Sequence, residues 1–305
     1  MKNTPSSIVF LAGPFIGDTL LIFSTVSFLK NMFRKVYFVT YHDDLMTTLN
    51  PYDEIKVVGI NSCINILASG EKKVIISNHP GEIIINGTNL PLIVSNNAKN
   101  YKFIDLYYRS SIFKEYKKMN YSNAMFEIIS HFFKYKLSYR PKQLTISLKR
   151  RLNNNTSDIA YLNAKFPFLL KEYIILIEGT SMTAKKFNKW EQLINKLIEI
   201  TNGRYQIIRI NETEVPFNKL DHPNVHYVHC NLKYYPYIFL NKNCCLVVST
   251  DTGLAHLSAM LGLKHLFSMQ FQTLLFGIMA LGSTIPLSER KMKITSKKSK
   301  TTLLD

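Results

Sequence analysis

Residues 246–262 read LVVSTDTGLAHLSAMLG, and the order of residue types in this stretch sets the fold class of the chain. Leu246, Val247 and Val248 form a short apolar run rich in β-branched residues, the composition of a buried strand. Ser249, Thr250, Asp251, Thr252 and Gly253 interrupt it with small polar residues. Leu254, Leu257, Met260 and Leu261 then recur at helical spacing. A strand that turns at once into a helix gathers unpaired N–H groups and the positive end of the helix dipole at the turn, which suits phosphate. Gly253 lets a ligand approach the backbone closely, and Asp251 and His256 add a carboxylate and an imidazole. The same residues also read as an ordinary capped helix, with Thr252 or Asp251 as N-cap and His256 on a polar face. The motif alone leaves both readings open.

Working outward, the pattern repeats. Residues 8–12 are apolar and extended in character, and 18–33 follow as a helix with Leu20, Leu21, Val26, Phe28 and Leu29 available to its buried side. Residues 36–40 (VYFVT) read as the next strand, 43–49 as a short helix, and 55–58 and 74–76 as further strands. Asn153, Asn154, Asn155, Thr156 and Ser157 are turn-prone and place a domain junction there, no later than Lys171. A second series begins with a strand at 173–177 and a polar turn opening at Glu178. It continues with a helix at 189–200 carrying Trp190, Leu193, Leu197 and Ile198, strands at 205–210 and 225–228, and a short helix at 236–240. Strand–helix alternation with short links specifies parallel, doubly wound α/β architecture, here twice over. The expected division is an N-terminal α/β domain over 1–160, a C-terminal α/β domain over 161–290, and a polar, basic tail over 291–305. Three loops follow strands and carry Gly or polar residues, at 13–18, 178–186 and 249–253. Ligands of open α/β sheets bind at the carboxyl ends of strands, so these loops point to a cleft between the domains.

Composition narrows the class. The chain has 305 residues, 46% of them hydrophobic and 12% aromatic, which is enough for two packed cores. No apolar run approaches the ~20 residues that span a bilayer. The N-terminus carries one Lys and no small-residue cleavage site after a long apolar stretch, so it reads as a first strand and the chain as cytoplasmic. Cys63, Cys230, Cys244 and Cys245 lack metal-ligand spacing and read as core thiols. The net charge is +17. Residues 99–150 hold 12 Lys and Arg against 3 Asp and Glu, interleaved with aromatics such as Tyr101, Phe103, Phe126, Phe132 and Phe133. A second basic cluster runs from Arg290 to Lys300. Such a surface suits an anionic membrane or anionic glycolipid; the alternative is a solvated basic face with the aromatics packed inside. Nucleic acid is not expected as a partner, because no nucleic-acid motif accompanies the charge.

Taken together the three loops resemble the ADP-heptose:lipopolysaccharide heptosyltransferase family, glycosyltransferase family 9. The second-domain signature stands here as Asp251-Thr252-Gly253-Leu254-Ala255-His256, the first as Gly17-Asp18-Thr19-Leu20-Leu21, and a third element as Gly179-Thr180-Ser181 followed by Lys185, Lys186 and Phe187. The resemblance implies a GT-B fold, two Rossmann-like domains facing across a cleft. It also implies a glycosyltransferase that moves heptose from ADP-heptose to the lipopolysaccharide core, inverting the anomeric centre with no metal or other cofactor. Asp18 would be the base on the acceptor hydroxyl. Lys185 or Lys186, Thr180, Ser181 and the N–H groups of Thr252 and Gly253 would receive the departing diphosphate. Asp251 would hold donor sugar hydroxyls, His256 the phosphates, and Glu212 or Glu214 the ribose. The enzyme would work at the cytoplasmic face of the inner membrane, as a peripheral protein. The bland reading of each stands beside this: Asp18 as a helix N-cap, the two lysines as solvated loop charges, Thr180 and Ser181 as turn formers. The chain departs from the family pattern at Ser24, at 209–214 (RINETE) and at Leu263-Lys264-His265, all but the first on the nucleotide side. A family member using a UDP-hexose, or one that binds glycan without catalysis, is the alternative.

Overall fold

The computed structural model of the chain describes residues 7–69, 71–79, 84–85, 88–89, 101–106, 111–116, 119, 121–134, 141–178, 187–211, 220–263 and 265–267. Its strands are β1 (Ser7–Leu11), β2 (Lys35–Thr40), β3 (Ile55–Gly59), β4 (Lys73–Ser77), the two-residue pair β5 (Ile84–Ile85) and β6 (Thr88–Asn89), β7 (Tyr101–Asp105), β8 (Tyr173–Glu178), β9 (Gln206–Asn211), β10 (Val225–Val228), β11 (Cys244–Ser249) and β12 (His265–Phe267). Two five-stranded parallel sheets result, ordered β3-β2-β1-β4-β7 and β10-β9-β8-β11-β12. Each starts at its central strand, runs outward on one side, and returns to the other. The reversal falls between β1 and β4 in the first sheet and between β8 and β11 in the second, and such switch points open a crevice at the carboxyl ends.

Side chains alternate across each strand, and both faces are covered, as parallel sheets require. Ile8 and Phe10 enter the largest apolar cluster, whereas Val9 and Leu11 join a smaller one on the other face. Ile175 and Ile177 enter that same largest cluster, while Ile174 and Leu176 face a third. One continuous core therefore joins the inner faces of the two sheets.

The helices are α1 (Ile16–Leu29), α2 (Asp43–Leu49), α3 (Ile64–Ala68), α4 (Tyr121–Phe133), α5 (Pro141–Asn153), α6 (Thr156–Lys165), α7 (Trp190–Ile200), α8 (Tyr235–Leu240) and α9 (Gly253–Met260). Helix α1 begins two residues before the expected start and gives way to a 3₁₀ turn at Lys30–Met32. It is buried on more than one side: Leu20, Ile22, Phe23 and Val26 are in the core, and so are Thr19, Ser24 and Thr25. A helix buried this way has covering on several faces, and α1 packs on α9 as well as on α4 and α5. Ser24 and Thr25 satisfy their hydroxyls within the helix, donating to Leu21 O at 2.6 Å and Ile22 O at 2.7 Å. Helix α5 touches α1 and α2 on one side and α8 and α9 on the other, and Thr145 Oγ1 donates to Met260 O at 2.8 Å. The turn at 154–155 separates it from α6, whose N-cap is Asn155.

The expected strands and helices in the described residues are all present, with shifts of one or two residues at most ends. One residue changes element: Glu178 is not in a turn but is the last residue of β8, and it is buried. Cys244 and Cys245 lie within β11. Burial pushes the thiols of Cys63 and Cys230 up to about 11 and that of Cys244 to about 12, which keeps them inert at neutral pH.

Candidate functional site

The site forms where the starts of α1 and α9 meet. Helix α9 follows β11 after Thr250-Asp251-Thr252. Thr252 is its N-cap, with extended backbone (φ −135°, ψ 167°) and a side-chain oxygen that accepts from Ala255 N at 3.2 Å. Of the two capping candidates, Thr252 is therefore the cap and Asp251 is not. Asp251 Oδ1 instead stands 3.1 Å from His256 Nε2, both side chains being partly exposed.

Helix α1 is built differently. Its N-cap is Phe15, which offers no capping side chain, and Asp18 sits inside the first turn. The N-cap reading of Asp18 is thus replaced: the carboxylate lies three residues past the cap and is available to the cleft. Asn78, buried just after β4, holds the backbone on either side of this turn. Its Oδ1 accepts from Gly13 N at 2.8 Å and its Nδ2 donates to Asp18 O at 2.9 Å. Thr19 Oγ1 donates to Gly13 O at 3.1 Å. These bonds tie the turn after β1 to the first turn of α1.

Two glycines let the helix starts touch. A Cβ on Gly253 would fall 2.7 Å from Ile16 Cβ and 3.2 Å from Gly17 N; one on Gly17 would fall 3.0 Å from His256 Cδ2. Neither site has room for a side chain without movement. The contact brings the His256 imidazole within electrostatic reach of Asp18. Partial burial raises the Asp18 carboxyl above the usual aspartate value, and His256 opposes the rise. A carboxylate made more basic by desolvation is suited to accepting a proton.

Of the expected site residues, Asp18, Asp251, Thr252, Gly253 and His256 are brought together at this one place. Thr180, Ser181, Lys185, Lys186, Glu212 and Glu214 lie outside the described residues. So do the tail 291–305 and the basic cluster from Arg290.

Sequence reasoning missed three features. One is Asn78, a polar residue between Ser77 and His79 after a strand. The second is Thr250, whose Oγ1 is buried beside Asp251 with no hydrogen-bond partner among the described residues; a buried hydroxyl in that state is one that a ligand oxygen can satisfy. The third is an ion pair at the carboxyl edge of the second sheet. Arg209 Nη2 donates to Glu178 Oε2 at 2.7 Å, and Arg209 Nε is bonded to Glu178 Oε1. Arg209 Nη1 donates to Tyr227 Oη at 2.7 Å, and the same oxygen accepts from Leu220 N at 2.6 Å. The network ties together the strand ends that flank segments 179–186 and 212–219. From the sequence, Arg209 stands out only as the first residue of the 209–214 segment that departs from the family pattern.

Two parallel sheets with this strand order, facing each other through their switch points, define a GT-B fold. Solved structures that the chain matches include glycosyltransferases. One is the Escherichia coli heptosyltransferase WaaC with ADP-2-deoxy-2-fluoro heptose, at TM-score 0.54 and 15% identity, covering 86% of this chain and 88% of that one. Another is E. coli ADP-heptose lps heptosyltransferase II, at TM-score 0.54 and 11% identity, covering 86% and 84%. A third is the family 9 glycosyl transferase from Veillonella parvula, at TM-score 0.56 and 11% identity, covering 92% and 90%. No protein-family model matches the chain, and no curated protein matches it in sequence. The resemblance read from the three loops is therefore borne out as a likeness of fold.

Proposed function

We propose that the protein is a glycosyltransferase that moves a heptose, or a related sugar, from a nucleoside diphosphate donor to a lipopolysaccharide core. The observation that carries this is the meeting of Asp18, from the first sheet, with Asp251 and His256, from the second. A direct displacement needs a base on one side of the anomeric carbon and an acceptor of negative charge on the other. Asp18 takes the proton of the acceptor hydroxyl as its oxygen bonds to the anomeric carbon. The bond from that carbon to the diphosphate breaks, and its electron pair leaves with the nucleotide. The start of α9, His256 and the lysines at 185 and 186 receive the charge. One displacement inverts the anomeric centre, and no step needs a metal. Asp251 and Thr250 Oγ1 hold donor hydroxyls, and Glu212 or Glu214 the ribose.

In this reading residues 1–160 form the acceptor side and 161–290 the donor side. ADP-heptose is the preferred donor, in line with the ligands named for the solved neighbours. Phe103, Ile112, Met119, Phe132 and Ile146 are exposed within the basic segment 99–150. That pattern supports a peripheral protein on an anionic membrane, where the core acceptor is presented. No helix among the described residues is long and apolar enough to cross a membrane.

The deciding experiment measures transfer from ADP-heptose to a truncated core by the wild type and by Asp18→Asn. Loss of transfer with ADP binding retained is expected; survival within a few-fold would remove Asp18 as the base. Thermal shifts with ADP, UDP and GDP identify the nucleotide, since a ligand of the native state raises its melting temperature.

A further inference from the structure

Among the described residues, the rim around Asp18 is aromatic rather than basic. The residues that follow β1, β2 and β4 (12–18, 41–44 and 78–79) include no Lys or Arg. They do include Phe15, 59% exposed, and Tyr41, 40% exposed. Tyr41 Oη and His79 Nε2 are hydrogen-bonded at 2.9 Å, with ring centroids 5.7 Å apart and planes tilted by 31°. This pair is fastened to the turn that carries Phe15. His42, next to Tyr41, is bonded through Nε2 to Pro14 O at 2.8 Å, and Asn78, next to His79, holds Gly13 N and Asp18 O. The three rings are thus mounted on one braced frame with the base.

Phe15 also sits where local physics disfavours it. It occupies the N-cap of α1, with extended φ −88° and ψ 141°, a slot in which Ser, Thr, Asp or Asn would bond the helix's free N–H groups. It exposes its ring to water as well. A residue that gives up a cap and leaves an aromatic face in solvent, three positions from a catalytic carboxylate, fits a contact made only with substrate.

We propose that Phe15 and the Tyr41–His79 pair form a stacking platform for the acceptor, and that the residue receiving the new sugar is an uncharged sugar ring. Aromatic faces bury the C–H face of such a ring and leave its hydroxyls free to reach Asp18. This inference rests on the glycosyltransferase reading and adds the chemistry of the acceptor subsite to it.

The test varies a de-acylated core oligosaccharide as acceptor at saturating ADP-heptose. Phe15→Ala is expected to raise the acceptor KM about tenfold while kcat and the donor KM stay within about twofold, the pattern of lost uniform binding. Phe15→Trp restores the KM, and Phe15→Leu, apolar without a ring face, does not. Leu170→Ala, which trims an apolar side chain of similar exposure (62%), leaves every parameter unchanged. Rescue by Leu as well as by Trp, or an effect on the donor KM alone, would overturn the platform. Should the chain transfer no sugar at all, the reading of its activity fails and the platform is judged by binding. In that case Phe15→Trp must show an oligosaccharide-dependent fluorescence change that the wild type, with Trp190 as its single tryptophan, lacks. No change at millimolar oligosaccharide would end the proposal.

Discussion

The two sheets share one strand order but finish their carboxyl edges in different ways. The first edge is braced by Asn78 and leaves the Asp18 carboxylate partly desolvated, with His256 of the other half as the charge that acts on it among the described residues. The second edge is charged and paired: Glu178 with Arg209, Asp251 with His256. The helix starts differ in the same sense. Helix α9 is capped by Thr252, while α1 has Phe15 in the cap position and no cap bond. One topology can thus carry an edge with a partly desolvated carboxylate and an edge whose charges are paired. The lesson is that strand order sets where a site lies, and the residues closing each edge set what it does.

The sharpest way to break the contrast is to neutralise Asp18. Asp18→Asn should lower transfer on the order of 10²- to 10⁴-fold, the range of a positioned general base. Rates measured across pH should show an acid limb above the usual aspartate range, because only the carboxylate accepts a proton and burial raises its pKa. The stability sign is opposite. A group whose folded pKa is raised stabilises the fold below its unfolded pKa and loses that contribution as pH rises through the folded value. At neutral pH the charged Asp18 therefore opposes folding, and Asp18→Asn should raise the melting temperature while abolishing transfer. A lower melting temperature would mean that the attraction of His256 outweighs desolvation.

On the second edge the expected effect is on stability. Arg209→Met leaves Glu178 buried without its cation, which costs about 3–5 kcal/mol for a buried pair. Glu178→Leu combined with Arg209→Met should recover part of that loss, since no unpaired charge remains. Denaturant unfolding of the wild type and the two variants checks this. Equal stability of the single and double variants would mean that Tyr227 and Leu220, not the ion pair, hold this edge.

How much of this could be read before the structure depends on whether a feature is local. The Asp251–His256 segment was legible because strand, turn and helix start are consecutive. Asp18 was legible as a site residue only beside a second motif, since an acidic residue near a helix start is also a common cap. Thr252 and Asp251 could not be separated as caps, because that choice turns on a backbone angle. Asn78 and Arg209 were missed for one reason: their partners lie 60 and 31 residues away, on other strands. Glu178 looks like a turn residue in the sequence because a charge after YIILI resembles the end of a strand; Arg209 pairs with it in the buried edge, which periodicity does not reveal.

The contact between the two helix starts offers a smaller perturbation. Gly253→Ala puts a methyl 2.7 Å from Ile16 Cβ, a backbone-anchored carbon with little freedom to yield. Overpacking of this kind costs about 1–3 kcal/mol, and the variant should also lose transfer as the two edges separate. Gly17→Ala meets the edge of the His256 ring at 3.0 Å. That side chain can rotate away, so stability should fall less while the Asp251–His256 contact is lost. Full stability and full activity in Gly253→Ala would show that the helix starts are not held in contact in solution.

The smallest effects come from exchanging the caps. Thr252→Ala removes the bond to Ala255 N and should cost about 1 kcal/mol. Phe15→Asn makes the reverse change at α1, where the backbone already has the extended angles of a cap residue and no side-chain bond exists to lose. It should gain up to about 1 kcal/mol from the new cap. Phe15 is 59% exposed, so little core packing is lost with the ring. If Phe15 were there for packing, the substitution would destabilise; if it is there for the acceptor, the variant is more stable and poorer at transfer. Equilibrium unfolding and the acceptor KM of the same sample separate the two outcomes, and they test whether the open start of α1 is kept at the expense of stability.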